Sequence, residues 1–140
     1  EVIASHPMVP DGIIAPVIDA KRSMLYCGWY SKTRGRLVRI AAESLLSYDD
    51  FILRLKKIKS AHSQKSIIIG GDGLDVCLAK VKASFPGAIL LEKGLWYPQP
   101  QPLISLAIRS IEARKDIHPF KLEPIYLYPQ ECQIRTSQYR

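Results

Sequence analysis

The sequence predicts an α/β fold: a five-stranded mixed sheet, built as an antiparallel meander followed by αβα units, with helices on both faces. Three observations lead there. Between residues 13 and 42, three β-rich runs are separated by short polar loops, the pattern of a meander. After residue 47 the apolar period lengthens from two to about 3.6, and amphipathic segments alternate with short apolar runs. The crossovers this implies place helices on the faces of parallel strands. Finally, 140 residues fit one domain, and a chain of that size buries roughly 70% of its unfolded surface, enough for a core without staples.

The elements follow in order. Residues 13 to 19 (IIAPVID) form an apolar run ending in an acid, a buried strand. Residues 24 to 31 (MLYCGWYS) are rich in β-formers and follow the loop Ala20-Lys21-Arg22-Ser23; Tyr26, Trp29 and Tyr30 on this run read as core and cross-strand packing. Lys32 to Gly35 make a second turn, and residues 36 to 42 (RLVRIAA) a third strand. Ser47 with Asp50 three positions later is a capping-box signature. The helix that follows, about 48 to 59, carries Phe51, Ile52, Leu55 and Ile58 on one face and Arg54, Lys56, Lys57 and Lys59 mostly on the other. Acids at its start and bases at its end suit the helix dipole.

A strand at 66 to 69 and the turn Gly70-Gly71-Asp72-Gly73 come next. They lead into a helix over 74 to 85, with Leu74, Cys77, Leu78, Val81 and Phe85 on its apolar face and Pro86-Gly87 as the stop. A fifth strand is expected at 88 to 92. After the breaker PQPQP, a helix over 102 to 114 should turn Leu103, Leu106, Ala107 and Ile111 inward. Residues 123 to 140, with Pro124 and Pro129, read as an extended tail with edge-strand character in part.

Composition narrows the function classes. No apolar run approaches the ~18 residues of a spanning helix, and the first ten residues lack the basic and apolar regions of a secretory signal. No membrane role is therefore expected. Cys27, Cys77 and Cys132 are odd in number, far apart and free of any CxxC pairing. They read as reduced thiols packed as small apolar groups, which implies a reducing, cytoplasmic setting. His6, His62 and His118 lie apart from one another and from the cysteines, so no metal-ligand spacing exists. No GxSxG-type nucleophile motif is present either. The residues thus point to no catalytic constellation, no metal and no cofactor.

Three features could bind something. The turn Gly70-Gly71-Asp72-Gly73 follows a strand and opens a helix, where backbone N–H groups favour a phosphate. It matches neither dinucleotide nor P-loop spacing, and a tight turn needing positive φ is the competing reading. Asp19, at the end of a buried strand, can form an interface or ion pair with Lys21 or Arg22; it has no second carboxylate in sequence for metal work. The net charge of +7 draws on Lys32, Arg34, Arg36, Lys56, Lys57 and Lys59. If they converge they form a basic surface for nucleic acid, binding weakly and salt-sensitively at most; if they scatter they are solvated side chains.

Several stretches resemble one family. PVIDAKRSMLYCGWY at 16 to 30, IIIGGDG at 67 to 73, LWYPQPQPLISLAI at 95 to 108 and EPIYLYP at 123 to 129 occur in the order of motifs in the second lobe of the TsaB (YeaZ) family. That family belongs to the actin-like ATPase clan. Leu127-Tyr128 departs from the family's usual Leu-Arg. The resemblance implies an actin-like, RNase H-like lobe over residues 13 to 122 and an extended tail from 123 to 140. Residues 1 to 12 would be the end of an interdomain helix, with a first lobe missing from this chain. Val2, Ile3, Met8 and Val9 would then form a leader without a helical partner.

The resemblance further implies a non-catalytic scaffold in making threonylcarbamoyladenosine at position 37 of tRNA. Its partners would be a TsaD-like catalytic subunit and a TsaE-like ATPase, with a homodimer open and tRNA met indirectly or weakly. The alternative is the second lobe of an ATP-dependent enzyme of the same clan, a kinase or glycoprotease-like protein. Its catalytic residues would lie in the missing lobe. Ala20, Lys21 and Arg22 favour the scaffold, because their side chains would crowd the backbone approach a nucleotide phosphate needs.

Overall fold

The computed structural model describes residues 1–113 and Leu127. It contains the expected five-stranded mixed sheet, in the order β3-β2-β1-β4-β5. Strands β1 (Gly12–Asp19), β2 (Met24–Thr33) and β3 (Arg36–Ser47) form the antiparallel meander. Strands β4 (Ile67–Gly70) and β5 (Ile89–Leu90) add in parallel on the far side of β1. The central strand therefore has an antiparallel neighbour on one side and a parallel one on the other. β1 is buried from Gly12 to Val17 and reads as a continuous apolar run, as a strand covered on both faces must.

Helices α2 (Tyr48–Ala61) and α3 (Leu74–Ser84) cover one face. Ser47 caps α2, its hydroxyl accepting from the Asp50 amide at 3.1 Å. Phe51, Ile52 and Leu55 of α2 and Leu74, Cys77 and Val81 of α3 are buried beneath them. The Phe51 ring stacks on the fully buried Trp29 of β2 at 5.7 Å between centroids. Because α2 and α3 both link parallel strands, both run from the carboxyl end of the β1–β4 pair to its amino end.

The opposite face is covered by α1 (Val2–Ser5) and α4 (Pro100–Glu112), which pack on each other. The leader does find a helical partner inside the domain. Ile3, Ala4 and Val9 are buried, and only Met8 of the apolar leader residues is largely exposed.

Most boundaries shift by one or two residues, and three elements differ further from the sequence reading. β3 continues to Ser47 rather than ending at 42, because its edge position allows the polar residues Glu43 and Ser44 to extend the ladder. β5 has only two paired residues. α4 starts at Pro100, and its inward set is wrong: Leu103 and Ile111 are 54% and 75% exposed, and only Pro102 is buried. The reason is geometric. Among the described residues α4 packs chiefly on the four residues of α1, and one helical turn covers little of a thirteen-residue helix.

Cys27 and Cys77 are free, buried thiols, as expected, and burial pushes them up to about 12 and about 11. Cys132 and the tail from 128 lie outside the described residues, as do residues 114 to 126. Among the described residues, no helix is long and apolar enough to cross a membrane.

Candidate functional site

The carboxyl end of the β1–β4 pair brings together two of the three candidate features. Asp19 closes β1, and the Gly70–Gly73 turn closes β4 directly beside it. The Asp72 carboxylate accepts from the Asp19 amide at 3.1 Å, so the two loops are tied across the parallel pair. Asp19 in turn accepts from the Lys21 amide at 2.8 Å and from the Lys21 ammonium at 2.6 Å. The Lys21 side chain holds the Asp19 carboxyl below its usual range, and Asp19 holds Lys21 above its own. The ion pair foreseen for Asp19 is thus to Lys21; Arg22 is exposed beside it.

Both loops carry special backbone. Lys21, Arg22 and Ser23 all adopt left-handed φ, of 63°, 51° and 60°. Each such residue costs roughly 1–2 kcal/mol when it has a Cβ. The turn is held by the Ala20 amide donating to the Met24 carbonyl and the Met24 amide donating to that of Lys21.

The glycines answer a different demand. At Gly71, φ is +116° and an added Cβ would lie 2.0 Å from the Val17 carbonyl oxygen. At Gly73 a Cβ would meet Leu25 at 2.8 Å and the Val17 carbonyl carbon at 3.1 Å. The turn is therefore glycine-rich because it lies against the backbone of β1.

The Gly73 amide and the first amides of α3 are engaged as well. Gly73 donates to the Val17 carbonyl at 3.2 Å, Leu74 to Gly71 at 3.0 Å and Asp75 to Asp72 at 3.1 Å. With these donors turned inward and Asp19 already paired to Lys21, the groups at this end are bound largely to one another.

The opposite, amino end of the pair collects the basic residues. Arg34 and Arg36 flank the β2–β3 turn, whose Arg34 and Gly35 amides are held by the Asp11 carboxylate. Lys56 and Lys57 are exposed near the end of α2, and Lys59 is half-buried in its last turn. Lys65, which the sequence reading passed over, spans from the loop after α2 to β2, donating to Ser31 and Thr33 at 2.6 and 2.7 Å. Only the register that sets Gly12 beside Lys32 and Ile13 beside Ile67 brings these loops together.

Lys32 does not belong to a basic surface. It is 5% exposed, and its ammonium donates to the His6 and Val9 carbonyls at 2.9 and 2.7 Å. Burial lowers its pKa. It sits on the face that carries α1 and anchors the leader, so its charge is internal.

Part of this polarity follows from the helices. Asp49, Asp50 and Asp75 occupy first turns of α2 and α3, and Lys59 and Lys82 last turns. These placements complement the helix dipoles. Arg34, Arg36 and Lys65 lie outside helices and have no such explanation.

Comparison with known proteins bears on the fold. No family model matches the sequence, and no curated protein matches it closely. Among solved structures, the crystal structure of an uncharacterized protein with similarity to peptidase YeaZ from Pseudomonas aeruginosa superposes with a TM-score of 0.62 at 17% sequence identity. The match covers 91% of this chain and 55% of that one. The chain shares that protein's fold and spans about half its length.

Proposed function

We propose that this chain is a non-catalytic scaffold lobe in the machinery that makes threonylcarbamoyladenosine at position 37 of tRNA. In this reading it pairs with a TsaD-like catalytic subunit and supports a TsaE-like ATPase. The motif order in the sequence and the shared fold support the choice of family.

The observation that carries the non-catalytic half is the closed carboxyl end of the β1–β4 pair. In α/β sheets that end is where ligands enter. Here the glycine turn lies on β1, the Asp72 carboxylate holds the Asp19 amide, and the Asp19 carboxylate is paired to Lys21. The buried, protonated Cys27 and Cys77 thiols are unsuited to act as nucleophiles.

Affinity capture with the tagged chain, in a lysate containing a TsaD-like protein, tests the reading. Stoichiometric recovery of that subunit is expected. Its absence, together with nucleotide hydrolysis by the intact protein, would favour the enzyme-lobe alternative.

A further inference from the structure

A cleft of about 400 Å³ opens at the amino end of the sheet, between the loop from α2 to β4 and the loop from α3 to β5. Lys59, Gln64, Lys65, Ser66 and Ser84 supply its polar walls, and Ile67, Phe85, Pro86 and Ala88 line most of the rest. The two ammonium groups are fixed from behind. Lys59 donates to the Ser63 carbonyl and, at 2.8 Å, to that of Lys65. Lys65 donates to the Ser31 and Thr33 hydroxyls.

An ammonium has three donors, so each lysine commits two inward and keeps one. Among the described residues no carboxylate lies within ion-pair distance of either; the four ion pairs engage Lys21, Arg39, Lys80 and Lys93. Beyond Ser31 and Thr33, the exposed Arg34 and Arg36 continue the positive strip along the β2–β3 turn.

We infer that this cleft and the adjoining turn form a binding surface for the phosphodiester backbone of RNA, with Lys59 and Lys65 holding a phosphate and Arg34 and Arg36 its neighbours. Two ordered ammonium groups with no carboxylate in ion-pair distance among the described residues, beside hydroxyls and an amide, match the positively charged surfaces that nucleic acids select. The nearby Asp11 carboxylate is engaged by the backbone of the β2–β3 turn. The inference rests on the proposed function for the choice of RNA, and it adds the surface that RNA meets. Binding would be insensitive to sequence, since no base-reading element is invoked.

Fluorescence anisotropy of the full chain with a labelled 20-nucleotide single-stranded RNA tests this. Four phosphate contacts should weaken binding roughly 50-fold between 50 and 200 mM KCl. Lys59→Gln with Lys65→Gln should lower the salt slope by about 1.4, near 0.7 for each phosphate lost. Arg34→Glu with Arg36→Glu, whose side chains hold no partner among the described residues, should weaken binding at least tenfold. That pair decides the matter if the lysine variant fails to fold by circular dichroism. Lys93→Gln, at the opposite end and paired with Asp75, should bind as the parent does.

No binding, equal binding by the charge variants, or displacement of RNA by polyglutamate at equal charge would overturn the inference. The last result would assign the surface to an acidic protein. Each of these can occur with capture of the TsaD-like subunit intact, so failure here is separable from failure of the proposed function.

Discussion

The two ends of the β1–β4 pair use the same materials, short loops and charged side chains, for opposite purposes. At the carboxyl end, carboxylates, amides and glycines are satisfied by one another, and the surface is closed. At the amino end, ammonium groups are positioned by internal oxygens but left without counter-charges. Fixing an ammonium by two of its three donors while leaving its charge uncompensated produces an ordered surface that still attracts a ligand. Satisfying hydrogen bonds and charge together produces a structural clamp.

The largest effect should come from breaking the clamp. Gly71→Ala places a Cβ against the Val17 carbonyl at a φ of +116°. A loss on the order of 3 kcal/mol in urea denaturation is expected from the collision and the strained φ together. Lys32→Met probes the cation at the basic end that is buried among the described residues. It leaves the His6 and Val9 carbonyls without their donor and should cost about 1–3 kcal/mol. Lys57→Met, on an exposed helix face, should stay within about 0.5 kcal/mol. Equal effects for the two lysines would erase the distinction between internal and surface charge.

Smaller effects sharpen the contrast. Arg22→Gly removes the Cβ from a residue at φ 51° with no internal side-chain partner among the described residues. It should raise stability by up to about 1 kcal/mol, the relief of left-handed strain less the added freedom of the unfolded chain.

The Asp19 carboxyl supplies the mildest test. Lys21 lowers its folded pKa below 3.8, so its contribution is present above that value and fades as pH falls through the lower folded one. Thermal melting should show this loss below pH 4 in the parent and its absence in Asp19→Asn.

Much of the fold was legible because burial in this sheet follows short-range patterns. The continuous apolar run of β1 and the faces of α2 and α3 are written in residue spacing. α4 was misread because its apolar residues satisfy a helical period without saying what lies opposite; a one-turn leader helix stands there. The glycine turn was seen, but its close approach to Val17 depends on parallel pairing between distant segments.

The basic residues were legible individually. Their sorting was not, because Lys32 and Lys65 stand 33 positions apart in sequence and meet different partners only through the β1 register. Charge in the sequence says nothing of whether an ammonium points into the molecule, as Lys32 does, or toward a cleft.

The contrast between a closed end and an open one is tested most directly by titrating Mg-ATP into the chain in a calorimeter. A closed carboxyl end predicts no saturable heat, because the Gly73 amide already donates to the Val17 carbonyl, the Asp72 carboxylate holds the Asp19 amide, and Lys21 is paired to Asp19. A micromolar, saturable affinity that Asp72→Lys alters would show that this end receives a nucleotide and would contradict the account.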